Sequence, residues 1–369
     1  MRIVINAWFW DQLTTGSGQY LAALAEWLPR VAAGHELVLV RAWGQRSEDA
    51  TGKRQKAKGK TRSVKRESQI ANRKSQIAIL NTQYPIPNTQ FPPPDTQSAI
   101  TVLHARTPFD HLNPNLAKLW FEQVTFPRAC RRLGADVAWV PYWGSPWWRP
   151  CPVVVTVHDI IPLILPLYRG GPLQRAYTWL VSRTARRADA VLTDSAASKR
   201  DIVTRLGIPA ERVHAVHLAA DPRFRPVTDP AELARVRERY NLPAEPFLLY
   251  LGGFDARKNV VRMVEAFARM VRRQGSGDRG QGTGVRLVIA GKLPEADTAF
   301  APDPRAVVAR LGIAELVHFI GWVDEADKPA LYTLARGALF VSEYEGFGLP
   351  VLEAMGCGCG VVVGGAVTR

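Results

Sequence analysis

The stretch Glu345-Gly346-Phe347-Gly348-Leu349-Pro350-Val351-Leu352-Glu353 directly follows an apolar, strand-like run that ends at Val341. Proline suits the first turn of a helix, where its missing N–H is not needed, so Pro350 marks a helix start. Gly346 and Gly348 stand just before that start and let the backbone come close to a ligand. The unpaired amides and positive end of the helix then face it, which suits an anion. Glu345 precedes the helix and Glu353 lies about one turn inside it. Carboxylates beside an anion site are suited to accept hydrogen bonds from sugar hydroxyls. Taken alone, the stretch also fits a capped helix with two surface glutamates.

Outward from it, short β-branched runs alternate with longer amphipathic stretches, the pattern of an open, mostly parallel α/β sheet. A first series of strands is expected at 2–7, 36–41, 136–140, 153–157 and 190–193, and a second at 247–251, 285–290, 317–320, 338–341 and 360–363. Helices near 259–273, 303–311, 325–336 and 349–356 separate the second set, with a flexible Gly/Ser-rich loop at 274–284. Prolines and charge at 220–226 suggest a connection between two domains, 1–222 and 223–369. Two Rossmann-like βαβ domains facing a central cleft would bind ligands at the carboxyl ends of their strands.

Three further segments sit at such ends. Gly252-Gly253-Phe254-Asp255-Ala256-Arg257-Lys258-Asn259 follows a buried strand and opens a helix, so its cations could neutralise a leaving anion; a solvated basic loop is the alternative. Thr15-Gly16-Ser17-Gly18-Gln19-Tyr20 lies between a strand and a helix, but Leu21 stands where a dinucleotide fingerprint has its third glycine. His158-Asp159 closes the strand at 153–157, where a histidine serves structure or chemistry equally well. Ten of the eleven tryptophans fall between Trp8 and Trp179, and the cluster Trp143-Gly144-Ser145-Pro146-Trp147-Trp148 fits stacking on a ligand ring or core packing.

Together these motifs resemble the retaining, GT-B-fold nucleotide-sugar glycosyltransferases of glycosyltransferase family 4. The family's E-x7-E motif is matched by Glu345 to Glu353, and its G-x4-R-K-N segment by the run from Gly252 to Asn259, with Gly253 where many members carry an arginine. The resemblance implies that Glu345 contacts the donor sugar near the reacting carbon, that the amides of Gly346, Phe347, Gly348 and Leu349 hold sugar and diphosphate, and that Glu353 holds the ribose hydroxyls. It likewise implies donor contacts for Gly16, Gly18 and Arg257, stabilisation of the leaving diphosphate by Lys258, and a place for His158 beside the donor sugar. The implied reaction moves a hexose, mannose among the candidates, from a GDP- or UDP-sugar to a carbohydrate or lipid-linked acceptor with retention. No cofactor is implied. No D-x-D occurs in the chain, so metal independence is expected.

The formal charge of +15 over 369 residues is concentrated: residues 46–75 hold eleven Lys and Arg against three acidic residues, a net of +8. That run leads into a seven-residue repeat, Ser68-Gln69-Ile70-Ala71 returning as Ser75-Gln76-Ile77-Ala78, and then into five prolines between Pro85 and Pro94. Prolines and polar repeat positions exclude a coiled coil, so 46–99 reads as a disordered insertion. With no aromatic residues interleaved to stack bases, the basic run disfavours nucleic acid and leaves peripheral contact with an anionic membrane as its functional reading. Four cysteines in no metal-ligand spacing, no spanning apolar stretch and no signal-peptide pattern point to the cytoplasm. The chain ends six residues beyond the strand at 360–363, so the second domain is expected to be truncated at its C-terminus, with an association-prone sheet edge. An inactive remnant and an anionic-surface binder are the rival readings.

Overall fold

The computed structural model describes residues 1–12, 15–42, 100–275 and 284–364. The expected insertion at 46–99 and most of the expected loop at 274–284 lie outside them. The elements run β1 (Arg2–Asn6), α1 (Gly16–Val31), β2 (Glu36–Ala42), β3 (Thr101–Ala105), α2 (Pro114–Trp120), α3 (Phe126–Leu133), β4 (Val137–Val140), β5 (Val153–Thr156), α4 (Ile161–Ile164), α5 (Pro172–Ala185), β6 (Ala190–Thr193), α6 (Ala196–Asp201) and β7 (Val213–Ala215). They continue as α7 (Pro230–Arg239), β8 (Phe247–Leu251), α8 (Val260–Gly275), β9 (Arg286–Ala290), α9 (Pro304–Leu311), β10 (Val317–Gly321), α10 (Lys328–Leu334), β11 (Gly337–Phe340), α11 (Leu349–Gly356) and β12 (Val361–Val363).

The strands form a seven-stranded sheet, β3-β2-β1-β4-β5-β6-β7, and a five-stranded one, β10-β9-β8-β11-β12. β1 pairs in parallel with both β2 and β4, and β8 with both β9 and β11. Covered on both faces, such strands read as unbroken apolar runs, which is why most were legible in the sequence. β3 and β7 were not anticipated. Each is short and interrupted by a histidine, His104 or His214, and takes its place from the register of its neighbour, β3 by pairing Val38 with Thr101 through Ala42 with Ala105. The single helix expected at 325–336 is a turn of 3₁₀ helix, Glu325–Asp327, followed by α10, whose first turn contains Pro329. Proline has no N–H to continue the hydrogen bonds of a preceding turn.

The chain clusters into two compact units, and these do not divide it at a single point. One comprises 1–157, 173–192 and 206–214; the other takes 158–172 and 193–205 together with 215–369. In the second unit the period of two along each strand sorts the core into two layers. Phe247, Leu249, Val288, Ala290 and Ala338 pack with Val236 of α7, Leu331 of α10 and Ala354 of α11. The alternate residues Tyr250, Leu287 and Ile289 pack with Val264 and Phe267 of α8 and Val307 of α9. In the first unit Ile5, Leu39 and Val102 bury Leu21 of α1. Among the described residues no helix is long and apolar enough to cross a membrane.

Candidate functional site

In the second unit the strand order reverses at β8, between β9 and β11. A crevice opens at the carboxyl ends of strands where neighbouring connections leave in opposite directions, and ligands of open α/β sheets bind there. The loops that leave this point are 252–259 after β8 and 341–348 after β11, the two segments singled out by sequence.

Their charged side chains converge. Lys258 Nζ donates to Glu345 Oε1 at 2.7 Å, Arg257 forms an ion pair with the other oxygen of the same carboxylate, and Arg257 also donates to the Tyr344 carbonyl at 3.1 Å. These side chains are 13% to 18% exposed, which excludes both surface glutamates and a solvated basic loop as the description of Glu345, Arg257 and Lys258. Burial pushes the Glu345 carboxyl up, but Lys258, Arg257 and the hydrogen bonds from Lys258 and Ser342 together outweigh it and hold the group below the usual carboxylate range. The β8 loop is set by a 3₁₀ turn, Ala256–Lys258, closed by Asn259 at φ 59°, whose side chain donates to the Val341 carbonyl at 3.3 Å. The Glu343 N–H donates to the Arg257 carbonyl at 2.8 Å, so the two loops are tied by backbone as well as charge.

At α11 the first turn carries Pro350, and Gly348, the residue before the helix, sits at φ 106°, a backbone conformation open to glycine and costly for others. Phe347 stacks 6.2 Å from His217. Glu353 is half-buried; Tyr332 hydroxyl donates to it at 3.4 Å, and burial pushes its carboxyl up more than Lys328 and that hydrogen bond pull it down.

Residues from the segments after β5 and β6 belong to the same unit; His158 and Asp159 were singled out by sequence, whereas Tyr168, Asp194, Ser195 and Ser198 were not. His158 Nδ1 and Asp194 Oδ2 lie 2.8 Å apart, a pairing that favours the proton on Nδ1 and orients the ring. Ser195 and Ser198 hydroxyls both donate to the Gly346 carbonyl, at 2.7 and 3.1 Å. A Cβ on Gly346 would lie 2.6 Å from the His158 carbonyl oxygen, so the glycine admits the β5 loop at this point. Burial raises the Asp159 carboxyl above its ordinary value, while Arg257 and His158 offset part of the rise. Tyr168 donates to Asp255 and accepts from the Arg257 N–H at 3.0 Å; burial, then that carboxylate, pushes its hydroxyl up to about 12. Asp194 and Ser195 stand directly beyond the end of β6, a placement too common to mark a site, and Tyr168 and Ser198 lie farther along the chain with no motif around them.

Gly16 and Gly18 lie in the first unit, at the start of α1. Thr15 Oγ1 accepts from the Gly18 N–H at 3.1 Å, so this amide caps the helix, and Gly18 is small because the Gln12 carbonyl packs against its Cα. Of the tryptophan cluster, Trp143 donates its indole N–H to the Val181 carbonyl at 3.2 Å, whereas Trp147 and Trp148 are exposed. Among the described residues no three His, Cys, Asp or Glu side chains group as metal ligands.

Comparison with known proteins places the chain in a family. The family model described as Glycosyltransferase Family 4 matches residues 14–224, and that described as Glycosyl transferases group 1 matches 235–366. Over 212 residues the chain is 31% identical to an Escherichia coli O-antigen chain mannosyltransferase B, covering 57% of this chain and 52% of that protein. The chain thus spans about half the length of the curated relatives it matches. Sucrose-phosphate synthase from Thermosynechococcus elongatus shares the fold with a TM-score of 0.60 and 19% identity, over 98% of this chain and 81% of that one. HepE from Anabaena, solved with UDP and glucose, does so with a TM-score of 0.60 and 15% identity, over 99% and 82%. The α/β fold of two Rossmann-like units is therefore that of GT-B glycosyltransferases. With residues 14–224, more than half of its length, matched by the family model, this chain belongs to glycosyltransferase family 4.

Proposed function

We propose that the chain transfers a hexosyl group from a nucleoside diphosphate sugar to a hydroxyl of a carbohydrate or lipid-linked acceptor, with retention at the anomeric carbon. The observation that carries this reading is the convergence of Lys258 and Arg257 on Glu345 at the switch point of the second unit, directly before the N-terminus of α11. A diphosphate is the anion that two cations and a helix start recognise together. The name of the E. coli relative supports mannose as the sugar, and the HepE complex supports a nucleoside diphosphate donor.

In this reading the bond between the anomeric carbon and the diphosphate oxygen breaks, and Lys258, Arg257 and the amides of Gly346 to Leu349 take up the developing negative charge. The acceptor oxygen bonds to the anomeric carbon on the face the diphosphate leaves, and its proton passes to a departing phosphate oxygen. Glu345 stands beside the sugar, Glu353 accepts from the ribose hydroxyls, and His158, held by Asp194, lines the donor. Gly16 and Gly18 remain candidates for donor contacts through the start of α1. With cations supplied by side chains, no divalent metal is required. Peripheral contact with an anionic membrane through residues 46–75 belongs to the same proposal and is read by vesicle co-sedimentation.

The test is incubation of the purified chain with GDP-mannose, GDP-glucose, UDP-glucose and UDP-N-acetylglucosamine, with and without EDTA, in the presence of mannoside acceptors. Release of nucleoside diphosphate with a new α-linked product from an α-linked donor, unchanged by EDTA, is expected. A β-linked product would refute retention, loss of turnover in EDTA would refute metal independence, and failure of every donor to bind would refute the site.

A further inference from the structure

In the first unit α5 turns a tryptophan outward. Its buried residues Thr178, Val181, Ser182 and Ala185 follow the i, i+3, i+4, i+7 spacing by which a helix packs on a core. Opposite that stripe stand Trp179, 61% exposed, and Arg183, with Arg187 one turn further on in the connection to β6. Leu173, in the first turn, is exposed as well. The loop between β4 and β5 extends this face. The Trp143 indole N–H holds it to the Val181 carbonyl at 3.2 Å, and the Gln123 side chain donates to the Ser145 carbonyl at 3.3 Å and accepts from the Trp147 N–H at 2.8 Å. So fixed, the loop presents Trp147 and Trp148, each 43% exposed, and the Arg187 guanidinium lies over the Trp147 ring, 4.7 Å from its centre. From Leu173 to Ala188 the chain holds four arginines and no acidic residue. Asp189, which ends the run, pairs with Arg149 at 2.9 Å, and among the described residues no carboxylate pairs with Arg183 or Arg187.

We propose that this face of the first unit docks on an anionic lipid bilayer, with Trp147, Trp148 and Trp179 at the level of the headgroups and Arg183 and Arg187 on lipid phosphates. An indole is apolar in body and carries one N–H donor, so it partitions to the boundary between acyl chain and water. Cations beside it add attraction to anionic headgroups, and the two contributions reinforce each other on a helix that lies in the interface plane. The stacking of Arg187 on Trp147 keeps charge and ring together as they meet the surface. A sugar chain is a poorer match. Its hydroxyls need acceptors beside the rings, whereas the Gln123 amide is spent within the loop and guanidinium groups only donate. A surface of one sign, spread over a helix and a loop, fits a partner that is uniformly of the other sign. The contact is separate from the one proposed for residues 46–75 and does not depend on the transferase reading.

The experiment is hydroxyl-radical footprinting of the full chain, read by peptide mass, with vesicles of phosphatidylglycerol and phosphatidylcholine or of phosphatidylcholine alone. Expected is a loss of oxidation at Trp147, Trp148 and Trp179 on the anionic vesicles only. In co-sedimentation, Trp147→Ser with Trp179→Ser, and separately Arg183→Gln with Arg187→Gln, should each weaken binding to anionic vesicles roughly tenfold, while Arg183→Lys with Arg187→Lys should keep it. Residues 46–75 are intact in every variant, so what they contribute remains as a salt-sensitive background. Unchanged oxidation of the three indoles on vesicles that the chain binds would overturn the inference and leave the contact of 46–75 standing. Equal binding of wild type and the serine and glutamine variants would overturn it too, as would protection of the indoles by a mannan, or by a rise in chain concentration, without vesicles. Absence of any binding to anionic vesicles would overturn both contacts. Footprinting of the wild type is decisive even where a variant does not fold.

Discussion

Glu345 holds two cations with one carboxylate, and its partners are positioned before any substrate arrives. Electrostatic groups fixed in advance at the point where charge develops need no reorganisation during reaction. Replacement by glutamine keeps the shape but removes the charge that Lys258 and Arg257 share, leaving Asp255 as the carboxylate beside Arg257. Glu345→Gln and Lys258→Ala are each expected to lower hexosyl transfer roughly a hundredfold, as for loss of one preorganised charge. Steady-state kcat/KM with whichever of the four candidate donors is turned over reads this, with circular dichroism as the check on folding; near-normal turnover in either variant removes that residue from the site. Asp159 differs, because burial raises its carboxyl. An acid raised on folding contributes stability below its unfolded pKa, about 3.9 for aspartate, and loses that contribution as pH rises through the folded value. Asp159→Asn can keep the hydrogen bond from the Ile161 N–H and should gain stability relative to wild type as pH rises from about 4, near the unfolded value, to about 7. Urea midpoints at the two pH values measure it, and parallel curves for the two proteins would contradict it.

The loop between β11 and α11 is held by the loops after β5 and β6, and Gly346 is the contact. With the His158 carbonyl 2.6 Å from where its Cβ would stand, an alanine must push backbone against backbone. Gly346→Ala is expected to cost about 1 to 3 kcal/mol, the usual penalty of overpacking, and to lower transfer with it. A melting temperature equal to wild type would show that the loops part without cost. A second joint connects α7 to the turn before α10. Asp327, nearly fully buried, accepts from Arg235 at 2.6 Å, from Arg239 at 2.8 Å and from the Tyr240 hydroxyl at 2.8 Å. Burial pushes this carboxyl up, yet the hydrogen bonds from Arg235 and Tyr240 and the two arginine charges bring it below its ordinary value. Its stabilisation is therefore present above the unfolded pKa and lost as pH falls through the lower folded one. Asp327→Asn should destabilise by about 1 to 3 kcal/mol at neutral pH, a moderate figure because the arginines are half exposed and stay hydrated without it. Equal stability of variant and wild type near neutral pH in a denaturant titration would contradict this.

At the scale of the molecule, β2 and β3 are adjacent parallel strands joined by the chain from Ala42 to Thr101. A parallel crossover needs about a dozen residues, far fewer than stand there. Replacing residues 46–99 with a linker of about a dozen residues is expected to keep the melting temperature within a few degrees and to move elution from heparin to lower salt, since 46–75 carries +8 of the +15. A large fall in stability, or unchanged heparin elution, would contradict the reading of that stretch as a charged insertion.

The alternation of apolar strands and amphipathic helices was local information, and β8, bounded by Phe247 and Leu251, and α11, bounded by Leu349 and Gly356, stand where their residues alone put them. The motif residues Glu345, Arg257 and Lys258 could also be named from spacing, because glycine, proline and charge at a strand end carry a mechanism within a few positions. β3 could not, since five residues with a histidine inside form a strand only beside β2. Nor could the pairing of His158 with Asp194 or the hydrogen bonds of Ser195 and Ser198 to Gly346. Each joins residues on different elements, at distances fixed by strand order and register. Those are properties of the closed backbone hydrogen-bond network and the core beneath it, and a linear pattern of residue types does not contain them.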